Sequence, residues 1–192
     1  MNIENTICKG SKILKYHNIQ NSNLDSEVIL ANVINKDRKY IILNSKRNLN
    51  KRYLDTFYKL IERRRKGEPV AYLTNKKDFW KQTFYINKNV LIPRPDTEII
   101  IEQVLKFSSP NSKSHLLDIG VGSGCILLSI LNERINFYGT GIDISQKSIN
   151  VSKYNAKMLH LNNRTKFYHS NVDNFNIGKY DIVVSNPPYI EL

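Results

Sequence analysis

Asn186-Pro187-Pro188-Tyr189 directly follows the apolar run Ile182-Val183-Val184, and its groups suit a planar nitrogen that is to be alkylated. The Asn186 carboxamide offers a carbonyl that accepts an N–H bond. Pro187 has no backbone N–H but keeps its carbonyl, and the paired prolines stiffen the segment. Tyr189 adds a flat face against which a planar group can stack. Two acceptors and a ring select a planar NH2, either a carboxamide or the exocyclic amine of a nucleobase. The competing reading is a proline-rich turn after a buried strand, which Asn-Pro alone would give.

A second constellation lies upstream, in Asp118-Ile119-Gly120-Val121-Gly122-Ser123-Gly124. Glycines at alternate positions between a strand and a helix let the backbone turn sharply and approach a ligand with no Cβ in the way. The spacing is G-x-G-x-G, not the dinucleotide G-x-G-x-x-G, and suits an amino-acid and nucleoside ligand better than a pyrophosphate. Asp143 ends the next strand about 20 residues on, where an acid commonly accepts the ribose hydroxyls. Asp118 is either a buried acid satisfied by turn amides or a group that orients the ligand's charged end. Cys125 opens the following helix and is assigned to packing, since no base or second cysteine is near it.

These residues need a parallel sheet to position them. From His115 the pattern alternates: strand 116–119, helix 124–133, strand 137–142, helix 145–159, then strands 166–169 and 180–185. Such alternation places ligands at the carboxyl ends of the strands. Upstream, apolar residues at helical spacing predict a helix over 25–43, capped by Asp25 or Ser26, and another over 49–66. Phe79-Trp80 and Phe84-Tyr85-Ile86, with Val90-Leu91-Ile92 after Asn87-Lys88-Asn89, read as a β-hairpin. Pro93 and Pro95 close it, and a helix from Asp96 or Thr97 runs to Phe107. The expected organisation is a helical part over 1–76, a hairpin linker over 77–95 and an α/β part over 96–192.

With 41% hydrophobic and 24% charged residues the composition is that of a soluble globular protein, and no apolar run approaches a membrane span. Residues 1–20 lack the continuous apolar stretch of a signal peptide, so a cytoplasmic location is expected. Cys8 and Cys125 stand far apart, which suggests reduced thiols. The net charge of +12 permits a nucleic-acid partner without requiring one. The dense cluster Arg63-Arg64-Arg65-Lys66 precedes Gly67 and Pro69, so it reads equally as a helix C-terminus.

Gly120 to Gly124, Asp143 and Asn186 to Tyr189 together resemble a Rossmann-like methyltransferase that uses S-adenosyl-L-methionine. Gly67-Glu68-Pro69-Val70-Ala71-Tyr72-Leu73-Thr74, Phe79-Trp80 and Leu91-Ile92-Pro93-Arg94-Pro95-Asp96-Thr97-Glu98 narrow the resemblance to the peptide chain release factor glutamine methyltransferases. That resemblance implies methylation of the glutamine in the Gly-Gly-Gln motif of release factors, with the helical part helping to dock that protein. It also implies that Gly120, Val121, Gly122, Ser123 and Gly124 line the methionine part of the cofactor and that Asp143 takes the ribose; at the adenine, where this chain departs from the family, Asn171 could hydrogen-bond the base or Val172 pack on it. Asn186 and the Pro187 carbonyl would hold the glutamine amide, also bordering the cofactor, with Pro188 and Tyr189 packing beside it. Arg94 and Thr97 would lie near the cofactor carboxylate. Neither a metal nor a covalent intermediate is expected, and a monomer is. Alternatives are glutamine methylation of a ribosomal protein, methylation of an adenine or cytosine amine on a flipped base, and an inactive remnant.

Asn75 stands where the family usually has Gly, Asp96 where it has Glu, and Ser170-Asn171-Val172-Asp173 where it has an acid beside the adenine. The chain stops at Leu192, soon after the fourth strand, where the family's sheet goes on. Truncation, decay or completion by a partner are the readings, the first two being favoured.

Overall fold

Short polar side chains set where three helices of the first 75 residues begin, by accepting backbone N–H groups that a helix start leaves unpaired. Asn2 accepts from Asn5 at 2.8 Å ahead of α1 (Ile3–Tyr16). After α2 (Ser22–Val33), Asp37 accepts from Tyr40 at 2.7 Å ahead of α3 (Arg38–Leu43), and Asn50 from Tyr53 at 2.9 Å ahead of α4 (Lys51–Arg65). The short α5 (Val70–Thr74) starts after Pro69. The computed structural model describes residues 1–187, and the chain divides into two compact units, 1–75 and 76–192.

The first unit closes on Ile3, Leu14, Ile29, Leu30, Phe57 and Ile61, all essentially inaccessible to solvent. Gly10 allows α1 to pass close to α4, since a Cβ there would sit 2.6 Å from Phe57 Cζ. The helix expected over 25–43 is two helices. Asn35, at φ 52°, ends α2 as its Asn35 N–H reaches Asn32 O and Lys36 N–H reaches Ala31 O, the Schellman pattern that Asn tolerates. Neither Asp25 nor Ser26 caps α2. Asp25 receives Arg64 Nε at 2.7 Å, and the Ser26 hydroxyl donates to Ser22 O. Gly67, at φ 95°, ends α4 in the same pattern. The arginine cluster is a helix end held in ion pairs: Arg63 with Glu68, Arg64 with Asp25, Arg65 with Glu62.

The second unit begins with the antiparallel hairpin β1 (Lys76–Phe79) and β2 (Gln82–Tyr85), turning at Trp80, which has a left-handed φ of 54°. Val90–Ile92 does not form the second strand of the hairpin as expected. Asn87 closes its own turn there, its Oδ1 accepting from Asn89 N–H and its carbonyl from Val90 N–H, and Pro93 prevents extension of a ladder. A short 3₁₀ turn, Pro95–Thr97, leads into α6 (Glu98–Phe107). Then follow β3 (His115–Ile119), α7 (Cys125–Glu133), β4 (Tyr138–Asp143), α8 (Gln146–Met158), β5 (Thr165–His169) and β6 (Ile182–Ser185).

All neighbours in the sheet are parallel, in the order β5-β4-β3-β6. The chain therefore builds outward from β3 and then crosses back to its other side, giving a Rossmann-like sheet with a switch point between β3 and β6. Two glycines in β4 seat α7 and the turn before it tightly. A Cβ on Gly139 would lie 2.6 Å from Leu127 Cδ1, and one on Gly141 2.7 Å from Val121 Cγ2.

Candidate functional site

The glycine turn leaves β3 at the switch point and is tied to the end of β4. Gly120 N–H and Val121 N–H both donate to Ile142 O at 2.9 Å. Gly122 N–H donates to Asp143 Oδ2 at 2.9 Å, while Ser145 N–H donates to Asp143 Oδ1 at 2.8 Å. Asp143 thus holds the turn in shape, and each of its oxygens keeps a lone pair for a hydroxyl. Ser170 N–H donates to Asp143 O at 3.0 Å, which brings the segment after β5 alongside. Asn171 is exposed in that segment, its side chain accepting from Asp173 N–H at 3.4 Å.

Gly120, Gly122 and Gly124 have φ of 74°, 54° and 82°, values at which a side chain is strained. No heavy atom lies within 4 Å of where a Cβ on Gly120 would stand, and Gly122 would meet only Gly120 O at 3.9 Å. The outer side of the turn is open space that a Cβ would occupy. Val121 and Ser123 point the other way, being 4% and 3% exposed, so they can offer a ligand only their backbone.

Asp118 lies beneath this turn, 1% exposed, with the Leu127 backbone N–H as its one nearby donor, too poorly aligned to make a hydrogen bond of ordinary geometry. Burial first, and the charge of Asp143 second, raise its pKa from 3.8 to about 7. Burial likewise pushes the Cys125 thiol up to about 12, so it stays a thiol and packs.

Asn186 follows β6 and meets Thr97 across the switch point, its Nδ2 donating to Thr97 Oγ1 at 3.1 Å. Thr97 is 9% exposed, and its N–H donates to Arg94 O at 3.0 Å. Arg94 itself is exposed, as is Pro187. Pro188 and Tyr189 lie outside the described residues.

Sequence reasoning missed the supports of this site. Asn155 of α8 accepts from Tyr85 N–H at 2.8 Å and donates to Tyr85 O at 3.0 Å and Ser123 O at 2.9 Å, fastening the hairpin to the glycine turn. Trp80 N–H donates to Glu98 Oε1 at 2.7 Å, and its indole N–H to Glu133 Oε1 at 2.8 Å. An asparagine one helical turn before the end of α8 carries no local signal of such a role. A separate cavity, lined by His115, Tyr138, Arg164, Thr165 and Tyr180, lies at the amino ends of the strands and contains none of these residues.

Residues 7–74 match the family described as PrmC N-terminal domain, and residues 96–191 that described as Methyltransferase small domain. The release factor glutamine methyltransferase of Buchnera aphidicola subsp. Baizongia pistaciae is 39% identical over 194 residues, spanning 99% of this chain and 68% of that protein. The chain belongs to the release factor glutamine methyltransferase family. Another relative of that name, from Caulobacter vibrioides, is 39% identical over 178 residues, covering 92% of this chain and 62% of that one. A bifunctional methyltransferase of Rickettsia bellii is 36% identical over 217 residues, covering 99% of this chain but 39% of its own length. The chain therefore spans well under two thirds of some of the relatives it matches.

The residues of this family member fit S-adenosyl-L-methionine. An open glycine turn admits a ligand to the backbone, and Asp143 keeps acceptors for hydroxyls. No cluster of side chains suited to a metal ion occurs among the described residues, and no helix among them is long and apolar enough to cross a membrane.

Proposed function

We propose that this chain methylates the side-chain amide nitrogen (N5) of the glutamine in the Gly-Gly-Gln motif of peptide chain release factors, with S-adenosyl-L-methionine as methyl donor. The observation that carries the reading is the meeting of Asn186 and Thr97 at the switch point beside the glycine turn, in a chain of this family. When bound, the cofactor supplies an electrophilic sulfonium methyl group. Gly120 and Gly122 admit its methionine part to the backbone while Gly124 packs the turn against Leu128 and Ser152, Asp143 accepts from the ribose, and Asn171 reaches the adenine side. Arg94 supplies positive charge toward the carboxylate.

An amide nitrogen is a poor nucleophile because its lone pair is delocalised. Asn186 Oδ1 and the Pro187 carbonyl accept the two protons of the target NH2, which orients the nitrogen and favours its pyramidal form, with Pro188 and Tyr189 packing beside it. Positioning of this kind supplies several kcal/mol. The N–C bond would form as the methyl–sulfur bond breaks, releasing the neutral thioether S-adenosylhomocysteine, and the alkylated nitrogen, now acidic, would lose one of its two protons to solvent, so no strong base is needed. The helical unit docks the release factor, the site is built within one chain so a monomer suffices, and a release-factor substrate implies action in the cytoplasm.

Replacing Asn186 with Ala removes one acceptor of this clamp. Transfer to a release factor is expected to fall below detection while S-adenosylhomocysteine binding, followed by calorimetry, stays within about threefold of wild type. Equal loss of both would show that Asn186 builds the cofactor pocket instead of the substrate clamp.

A further inference from the structure

The ladder between β3 and β6 ends at the pair Ile119 and Ser185, and there the two segments part. One runs into the glycine turn, the other into Asn186 and Pro187. Backbone pairing cannot be carried on by Pro187 or Pro188, which have no N–H to donate. A side chain adds a bond at this point. The Ser185 hydroxyl donates to Ile119 O at 2.9 Å, and since a carbonyl oxygen only accepts, the direction of the bond is fixed. Among the described residues β6 has β3 as its one strand neighbour, so no second ladder holds its end. Ser185 is exposed, so its side chain is not held by burial either. The contact of Asn186 with Thr97 at 3.1 Å leads to the start of α6 and not to the turn. Beyond Ile119 the path is short and stiff. Gly120 N–H is fixed on Ile142 O at 2.9 Å, and Gly122 N–H on Asp143 Oδ2 at 2.9 Å. The Ser185 hydroxyl thus joins the residue before Asn186 to the residue before the glycine turn, across 66 positions of sequence.

We infer that Ser185 is a positioning residue that sets the gap between the Asn186 segment and the glycine turn. This rests on the proposed transfer to a glutamine amide, in which one segment holds the target nitrogen and the other admits the methyl donor. A shift of about 1 Å between two such segments costs on the order of a hundredfold in rate, while each still binds its own partner. Ser185 acts through this spacing and need touch neither partner.

The test compares Ser185→Val with Ser185→Thr, two side chains of nearly the same shape and both suited to a strand, of which the second keeps the hydroxyl. Ser185→Val is expected to lower kcat for a release factor about ten- to a hundredfold, while KM for the release factor, S-adenosylhomocysteine affinity and the thermal midpoint stay near wild type. Ser185→Thr is expected to keep kcat within about threefold of wild type. A hydroxyl that served stability alone would move the midpoint and leave kcat unchanged. Ser185→Val with wild-type kcat, or Ser185→Thr as slow as Ser185→Val, would overturn the inference. If wild type transfers nothing to release factors, the proposed reaction fails, and the positioning claim is still decided by NMR relaxation. The Asn186 backbone N–H should be rigid in wild type and Ser185→Thr and mobile in Ser185→Val, and equal relaxation in all three would overturn it.

Discussion

Asp118 is the residue whose chemistry is furthest from its ordinary behaviour. It sits 1% exposed, and burial, offset in part by the Leu127 backbone N–H and reinforced by the Asp143 charge, raises its pKa from 3.8 to about 7. The folded state therefore binds a proton that the unfolded chain has already released. The Asp118 contribution to stability is fully present below about pH 4, is lost as pH rises toward about 7, and is flat above that. The Asn variant does not titrate. We expect Asp118→Asn to have the same unfolding free energy as wild type near pH 4, to exceed it at pH 8 and to bind S-adenosylhomocysteine more weakly. Urea titrations at both pH values check this, and parallel pH profiles for the two proteins would contradict it. A residue kept at such a cost suits a site that receives a cation.

Elements position these residues through bonds of long sequence range. Asn155 connects α8 to β2 and to the glycine turn with three hydrogen bonds, one of them to Ser123 O. Asn155→Ala leaves Tyr85 N–H and two carbonyls without their partner, and is expected to cost about 3 kcal/mol of stability and to weaken cofactor binding through the turn. A denaturant midpoint unchanged from wild type would show that the hairpin is held by packing alone. The alternation from β3 to β6 was legible because β3 and β6 contain short apolar runs and the helices between the strands are bounded by Gly, Ser or polar residues, although β4 and β5 are only partly apolar. The glycine turn, Asp143 and Asn186 were legible for a related reason, since each lies at a strand end that local sequence marks. What stayed hidden was set by partners far away in the chain: the break at Asn35, the turn at Trp80, and the bonds of Thr97 and Asn155. Trp80 at positive φ contradicts its local preference, and Glu98 holds it there. Nothing within a few residues of Asn87 distinguishes a hairpin loop from the self-closed turn it makes.

At the scale of the whole molecule, charge is unevenly divided. Residues 1–75 carry 15 Lys and Arg against 7 Asp and Glu, a net of +8, while residues 76–192 carry 14 against 10, a net of +4. The arginines at the end of α4 are engaged in ion pairs, so the excess lies elsewhere on the helical unit. A basic helical unit suits recognition of an acidic partner surface as much as nucleic acid, and the site itself decides between a protein amide and a base amine only through what it methylates. The direct measurement is transfer of labelled methyl from S-adenosyl-L-methionine to four substrates offered in parallel. These are a release factor, its Gly-Gly-Gln variant with the glutamine changed to alanine, ribosomal protein and DNA. Label on the intact release factor, lost with the alanine variant, is the expected result. Label on DNA or ribosomal protein with none on the release factor would contradict it.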